Sequence, residues 1–324
     1  MDIFLKSTGD GLDRTREIEA MLQTQGCCVL GPGVFWVRGV RMPDGSCLKG
    51  QGSATKLLLM PEGTFTVKLG SFCTVRDLAV MGAEEEIPLP EAVGDRHGIL
   101  FEGTATYTDW SNQPRNSTVS GCFASGFTGG GITCRDTGYK TLCALNVSDC
   151  HIWNCGAGIN ISHFSEYHRF TNILCGACLY GCINNGGNNM FLNCGFNSNG
   201  TGFLMDNSRG QSGNNSHGSA VGCTFNHTGK NKGIGIQILG AGHGYVFSGC
   251  QLFYSKIVLE DATGIIFENF NCGRDIAFTV KGGGLTLFSN SAFLCPPEPF
   301  TVENNDAVKF INCYLRDGKE LTLC

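Results

Sequence analysis

The chain has 324 residues, including 47 Gly, 19 Cys and only 9 Pro, and 16% of its residues are charged. Its formal net charge is −5 and no basic cluster is present, which argues against nucleic acid as a partner. No apolar stretch approaches the roughly 20 residues of a membrane span, and the many Gly and Asn residues disfavour long helices.

The N-terminal segment predicts a short capping helix. Asp13 or Thr15 can cap a helix that places Ile18, Met21 and Leu22 on one face. Such an amphipathic helix would cover the open end of a coil of strands, which otherwise exposes apolar surface and unpaired edges. The segment lacks the basic, apolar and small-residue pattern of a secretory leader. A cytoplasmic protein is therefore expected, with a secreted or phage-particle location as the alternative.

The first coils carry a family resemblance. GDGLDRTREIEAMLQ, followed by CVLGPGVFWVRGVRMPDGSCLKGQGSATKLLL, resembles the opening of the pectate-lyase-like β-helix superfamily. This resemblance implies a right-handed parallel β-helix that begins with a helical cap. The superfamily includes polysaccharide lyases, glycoside hydrolases, inulin fructotransferase-like enzymes and phage tailspikes. Because one fold hosts all these functions, the resemblance predicts the fold more specifically than the reaction.

A repeat containing cysteine dominates the chain from residue 116 onward. An apolar stretch, a Cys and a further short strand recur, as in NSTVSGCFASGF and HGYVFSGCQLFY. The aligned cysteines are Cys122, Cys150, Cys175, Cys194, Cys223, Cys250, Cys272 and Cys313. Strands at this spacing leave no room for helical crossovers, but they can coil with about 4.8 Å between turns. We therefore predict an all-β, single right-handed parallel β-helix.

The cysteines are predicted to be structural. Cys150, Cys194, Cys223 and Cys250 should lie buried in one stacked column without disulfide bonds. No second CxxC pair accompanies the cysteines near residue 178 to complete a zinc site, so neither a metal nor a cofactor is predicted.

The whole chain is predicted to form one domain. Its parts are an N-terminal cap (1–30), first coils (31–81), a loop excursion (82–115) and regular coils (116–324). The excursion carries Asp95, His97 and Trp110, which could bind sugar hydroxyls or stack on sugar rings. An oligomer contact is the alternative reading of this loop, and a homotrimer is expected because the loop has no obvious partner in its own chain.

A polar row is predicted where turns enter the cysteine-bearing strands. Counting back six or seven residues from the aligned cysteines reaches His168, Arg169, Asn188 and His217. Planar and cationic side chains in a row suit a sugar chain. The alternative is a ladder of turn residues that satisfies backbone groups.

Glu166 and Asp206 lie beside this row and are the predicted catalytic residues. Glycoside cleavage usually takes two carboxylates about 5–9.5 Å apart. A lyase would instead need a base and cations that neutralise a uronate. Substrate binding is predicted for His163, His168, Arg169, Asn188, Asn189, Arg209, Asn215, His217, Asp95, His97 and Trp110.

These features predict a carbohydrate-active enzyme that cleaves or transfers glycosidic bonds of an oligo- or polysaccharide. Its mechanism would resemble that of a glycoside hydrolase or fructotransferase. One alternative is a polysaccharide lyase. The other is a non-catalytic β-helix that binds a glycan, as a tailspike-like protein would.

Overall fold

The chain winds into a right-handed parallel β-helix. The computed structural model describes residues 4–83, 88–103, 113–136, 142–208, 217–226, 233–240, 244–294, 296–297, 300–303 and 306–321. The named strands pair in parallel, so successive turns stack in the same direction. The predicted fold class is confirmed. No helix within the described ranges is both long and apolar enough to cross a membrane.

Sheet B forms one wall of the coil and receives one strand from each turn. Its described strands are β4 (Val40–Arg41), β6 (Phe65–Leu69), β8 (His97–Glu102), β11 (Gly130–Arg135), β15 (Ala157–Ile161), β19 (Tyr180–Asn184), β22 (Thr201–Asp206), β25 (Ile234–Leu239), β28 (Lys256–Glu260), β31 (Ala277–Lys281) and β34 (Phe300–Val302).

Sheet A forms the rest of the wall, and most turns give it two short strands. Its described strands are β1 (Phe4–Leu5), β2 (Cys27–Leu30), β3 (Gly33–Val37), β5 (Cys47–Leu59), β7 (Thr74–Met81), β9 (Thr118–Ser120), β10 (Phe123–Ser125), β13 (Asn146–Ser148), β14 (His151–Trp153), β17 (Arg169–Thr171), β18 (Leu174–Gly176), β20 (Asn189–Leu192), β21 (Gly195–Asn197), β23 (Gly218–Val221), β24 (Thr224–Asn226), β26 (Tyr245–Ser248), β27 (Gln251–Phe253), β29 (Ile265–Glu268), β30 (Asn271–Cys272), β32 (Thr286–Ser289), β33 (Ala292–Phe293), β35 (Val308–Ile311) and β36 (Tyr314–Leu315). A separate short pair joins β12 (Leu142–Cys143) to β16 (Ser165–Glu166).

Helix α1 (Thr15–Gln25) packs on the first turns, as predicted. The N-cap position is held by Arg14, which makes no capping bond through its side chain, and not by Asp13 or Thr15. Asp13, one residue earlier, supports the start of the helix, because its Oδ1 accepts a hydrogen bond from the Thr15 N–H at 2.9 Å. Ile18 and Leu22 are buried. The helix ends at Gly26, whose positive φ of 67° lets its N–H reach the Leu22 carbonyl.

From β7 onward, one residue with positive φ forms the corner between the two sheet A segments of each turn. Only Asn, Asp or Gly occupies this corner, because these residues tolerate the left-handed conformation best. The corner residues are Asp77, Gly121, Asp149, Asn172, Asn193, Gly222, Gly249, Asn269, Asn290 and Asn312.

The residue after each corner points inward and forms what we call the cysteine column. Its members are Leu78, Cys122, Cys150, Ile173, Cys194, Cys223, Cys250, Phe270, Ser291 and Cys313. Each thiol of the column contacts the carbonyl two residues before it, as Cys150 Sγ contacts Ser148 O at 3.1 Å. The hydroxyl of Ser291 does the same with Ser289 O at 2.9 Å. The thiols therefore act as small apolar fillers that also engage a carbonyl at the corner.

The predicted burial of the cysteines is confirmed, but part of their alignment is wrong. Cys150, Cys194, Cys223 and Cys250 are buried and free, and all seventeen cysteines in the described ranges are unbonded. Cys175 and Cys272 belong to the next inward position, two residues further along, where Cys175 lies beside Ile152 and Phe196. Because side chains two residues apart on a strand face the same way, spacing alone did not separate the two columns.

Glycines form a second column, in sheet B. Gly98, Gly131, Gly158, Gly181, Gly202 and Gly235 occupy equivalent positions on successive turns. A β-carbon on Gly158 or Gly181 would lie 2.5 Å from the carbonyl oxygen of the glycine in the next turn. The close approach of the backbones explains part of the glycine content.

The predicted excursion over 82–115 contains a regular strand. Strand β8 pairs with β6 on one side and β11 on the other. The excursion is therefore two separate connections on either side of a full sheet B strand, and His97 and Glu102 are positioned by that sheet.

Candidate functional site

A row of polar side chains runs along the carboxyl-terminal edge of sheet B. The segments GILFE (98–102), GITCR (131–135), GINIS (158–162), GCINN (181–185) and GFLMD (202–206) align on successive turns. Their fifth positions form what we call the edge row: Glu102, Arg135, Ser162, Asn185 and Asp206. Neighbouring members are about 4.8 Å apart along the axis, the spacing of adjacent strands.

The N-terminal part of the edge row carries a network of charges. Arg135 lies between two carboxylates, with its Nε 2.6 Å from Glu102 Oε1 and its Nη1 2.8 Å from Asp95 Oδ1. Lys68 Nζ lies 2.5 Å from the other oxygen of Glu102. The Asp95 side chain is 74% exposed, whereas that of Glu102 is 20% exposed. The network therefore presents Asp95 and one face of Arg135 to the solvent.

The buried side chain of His97 holds this network in place through Asp95. Its Nδ1 accepts hydrogen bonds from the Gly130 N–H and from the Thr133 hydroxyl, both at 3.0 Å. The remaining proton must therefore sit on Nε2, which donates to Asp95 Oδ1 at 3.0 Å. Burial lowers the pKa of His97, with Asp95 opposing the shift. A neutral, nearly inaccessible imidazole thus fixes the orientation of an exposed carboxylate.

Both carboxylates of the network are ionised at neutral pH. The hydrogen bond from His97, with Arg135 beside it, holds the pKa of Asp95 below its ordinary value. Burial raises the pKa of Glu102, but Lys68 and Arg135 outweigh it, so that this pKa also lies below its usual range. Either group could act as a base or a nucleophile, but neither is suited to donate a proton.

The structure separates the two carboxylates predicted to be catalytic. Asp206 belongs to the edge row, two turns beyond Ser162, and Glu166 lies four residues past Ser162 in the chain. The axial separation alone is about 10 Å. Asp206 Oδ1 accepts bonds from the Ser208 N–H and hydroxyl, at 3.0 and 2.5 Å. Glu166 is 5% exposed, and its Oε2 accepts from Asn188 Nδ2 at 3.2 Å. The two residues thus lie about two turns apart along the axis, and the catalytic role of each remains a prediction.

The predicted polar row is displaced by the same two-residue error as the cysteines. With Ile173 in the cysteine column, Tyr167 takes the position assigned to Arg169, between Ala144 and Asn188. Arg169 instead lies exposed on β17, beside Asn146 and Met190. Tyr167, Ala144 and Asn188 have positive φ, so this row is a corner ladder. Asn188 donates its backbone N–H to His217 O at 2.7 Å.

Two residues predicted to bind substrate lie inside the coil. His168 and Asn189 are fully buried and occupy inward positions on successive turns. His168 Nδ1 accepts from the Leu145 N–H at 3.0 Å, so its Nε2–H faces the Ser165 hydroxyl at 2.8 Å. Asn189 bonds the His168 N–H and the Asn184 side chain. The prediction of substrate binding is wrong for both, because their polar atoms satisfy the interior.

His168 is expected to make the fold sensitive to acid. Burial lowers its pKa from 6.5 to about 3. Because the folded-state pKa is depressed, the stability that neutral His168 contributes to the fold is fully present above about pH 6.5. This stability is lost as the pH falls from 6.5 towards 3. We expect urea unfolding free energies to fall across this window, by at most about 1.4 kcal/mol per pH unit from this group. His168→Gln should flatten the slope, whereas replacement of the exposed His151 should leave most of it; an unchanged slope in His168→Gln would contradict this account.

Of the remaining residues predicted to bind substrate, His163 lies within the described residues and three others lie outside them. His163 is half-buried, and its Nδ1 is buried without a hydrogen-bond partner. Arg209, Asn215 and Trp110 lie outside the described residues. Within the described part of the chain, no cluster of three or more His, Cys, Asp or Glu residues could hold a metal ion.

Comparisons with known proteins agree on the architecture. No protein-family model and no curated protein matches the sequence. The A-module of mannuronan C-5 epimerase AlgE4 from Azotobacter vinelandii matches in structure with a TM-score of 0.71 at 14% identity, covering 95% of this chain and 93% of that one. PfbA, a surface adhesin of Streptococcus pneumoniae, has a TM-score of 0.68 at 10% identity, covering 97% and 90%. The catalytic domain of a GH87 alpha-1,3-glucanase matches with a TM-score of 0.65 at 13% identity, covering 96% of this chain and 64% of that one.

The chain is a parallel β-helix protein. At 10–14% identity, the likeness to these structures concerns the fold.

Sequence reasoning missed three members of the charged network in this β-helix protein, Lys68, Glu102 and Arg135. The signal that could have found Arg135 is the alignment of GILFE with GITCR, which places Glu102 and Arg135 at the same position of adjacent turns. Lys68 has no such signal, because it lies two residues before the matching position on β6 and reaches Glu102 through its long side chain.

Proposed function

We propose that this β-helix protein is a carbohydrate-active enzyme that binds an oligo- or polysaccharide along the edge row and acts on a glycosidic bond beside Asp95. The observation that carries the proposal is the edge row itself. It places charged, amide and hydroxyl side chains at one position of five successive turns, from Glu102 to Asp206. A linear array of planar donors and acceptors is complementary to the hydroxyls of a sugar chain.

The named structural neighbours support this choice of substrate class. The epimerase is named for mannuronan and the glucanase for an alpha-1,3-glucan. Both share nearly the whole length of this chain in their fold.

The charged network suggests a division of roles. Asp95 is exposed and ionised, so it would act as base or nucleophile. Arg135 would bind sugar oxygens, while Glu102 holds its guanidinium in place. His97 is a positioning residue, since it acts through Asp95 and its own side chain is only 4% exposed. Glu166 and Asp206 are proposed to contact the glycan further along the edge.

A second candidate is a β-helix that binds a glycan without converting it. The observation that favours it is that Arg135 and Lys68 already neutralise Asp95 and Glu102, which leaves a site rich in hydrogen bonds but without an assigned proton donor. PfbA, a protein with a similar fold, is described as a surface adhesin.

A glycan screen of the purified protein separates these functions. Neutral and uronate polysaccharides would be incubated with the protein, and reducing ends and unsaturated-uronate absorbance would be measured. New reducing ends without the absorbance indicate hydrolysis, the absorbance indicates a lyase, and a new product with neither indicates transfer. Binding without any product favours the second candidate. Neither binding nor turnover across the panel would contradict both.

We also propose that the protein is a homotrimer. Leu174, Met190, Leu192 and Val221 are each at least 36% exposed on neighbouring sheet A strands, with Leu192 and Val221 in direct register. A contiguous apolar surface of this kind favours contact with another protein surface. Light scattering should return about three times the chain mass of 34.7 kDa, and Leu192→Lys should lower it. A mass near that of one chain would contradict the proposal.

A further inference from the structure

Two thiols in the first turns differ from those of the cysteine column. Cys27 on β2 and Cys47 on β5 are direct partners in register and are both half-buried. Their side chains face outward, whereas the adjacent Cys28 and Leu48 point into the core. Most other described thiols are buried, and Cys143 is half-buried. The first two turns therefore present a pair of neighbouring thiols towards the solvent.

The geometry of the pair suits a disulfide bond. Residues in register on adjacent parallel strands lie about 4.8 Å apart, which falls within the Cα separations of 4.4–6.8 Å found in disulfides. Burial, followed by the charge of Cys27, raises the pKa of Cys47, whereas Arg76 and Lys49 act in the opposite direction.

The pair borders a cavity with cationic walls. The cavity has a volume of about 320 Å³ and is lined by both thiols together with Lys49, Gln51 and Arg76. Lys49 and Arg76 are themselves partners in register, two residues beyond the cysteine position on the same outer face. A small disulfide that carries carboxylates would find cations for its charges and two thiols beside them.

We propose that Cys27 and Cys47 form a modification site, at which a small carboxylate-bearing disulfide oxidises the two thiols to an internal disulfide across the first two turns. One thiol loses its proton and its sulfur attacks the small disulfide. That S–S bond breaks, and one half leaves as a thiolate that takes up the proton. The second protein thiol then attacks the mixed disulfide and releases the other half as a thiol. Two electrons pass from the protein to the small disulfide, which is reduced to two thiols.

Peptide mapping after oxidation tests the site. The full chain would be incubated with oxidised glutathione, alkylated and analysed by mass spectrometry. We expect peptides joined through Cys27 and Cys47, with a loss of two hydrogen atoms and no retained glutathione. Cys143 is the matched control, because it is also half-buried but lies in register with Arg115 and Glu166 instead of another thiol. Alkylation of both Cys27 and Cys47, or a separate glutathione on each, would overturn the proposal.

Single substitutions test the intermediate and the cationic walls. Cys47→Ser should accumulate a stable glutathione adduct on Cys27, and Cys27→Ser should do so on Cys47; absence of both adducts would contradict the proposed accessibility. Lys49→Gln combined with Arg76→Gln should slow oxidation by glutathione disulfide several-fold. The same variant should react at the parent rate with the uncharged 2-hydroxyethyl disulfide. Equal slowing with both reagents would overturn the role of the two cations.

Discussion

Gly181→Ala is expected to destabilise the fold by about 3–5 kcal/mol, an effect large enough to reduce soluble expression. A β-carbon at this position would lie 2.5 Å from Gly202 O and 2.6 Å from Asn199 Nδ2. The carbonyl is backbone, and Asn199 is itself held by the Cys178 N–H and by Cys175 O. Because neither neighbour can withdraw without breaking hydrogen bonds between turns, the strain should spread along the coil.

Urea unfolding followed by circular dichroism measures this effect. Gly31→Ala is the matched control, because a β-carbon there meets only Leu5 O, at the ordinary contact distance of 3.4 Å. The control should remain within about 1 kcal/mol of the parent. If both variants unfolded at the same urea concentration, the glycine column would not be the reason for glycine at this position.

Asp95→Asn is expected to reduce turnover of the glycan by about a hundredfold or more, with little change in folding. The amide keeps an oxygen that can accept from His97 and Arg135, but it loses the charge required of a base or nucleophile. Initial rates on the glycan identified by the screen provide the measurement. Glu91→Gln in the same connection is the control, since this exposed carboxylate lies outside the charged network, and it should retain full activity.

Glu166→Gln and Asp206→Asn distinguish the two possible centres. If Asp95→Asn retained full activity while one of these lost it, catalysis would lie further along the edge row. Retention of activity in all three variants would contradict the proposed use of the edge row.

Local patterns were sufficient to predict the coil and its cap. The capping segment contains its own signals, in Asp13 and in the spacing of Ile18 and Leu22, and these contacts form within about ten residues of chain. The corners within sheet A likewise require Asn, Asp or Gly one at a time, so they recur visibly in the sequence. What depends on a single turn could be predicted.

Details that depend on register between turns were harder to predict. Cys175 and Ile173 both face the core, and only the backbone pairing with the neighbouring turns decides which one continues the cysteine column. The same error displaced Arg169 from its true position. His168 was assigned to a glycan surface because its residue type is polar, whereas its two ring nitrogens are satisfied within the wall of the coil.

The unequal corners of the coil have a consequence for protein engineering. From Asp77 onward the corner within sheet A is a single residue, whereas the connections that follow sheet B vary from four residues (261–264) to fifteen (103–117), and those that lead into it vary from two (254–255) to fifteen (82–96). Tolerance of added peptide is therefore expected at the two borders of sheet B, where each turn offers a graft point, and not at the corner within sheet A. Grafts in successive turns would be spaced about 4.8 Å apart, so the protein could display chosen groups at regular, known distances.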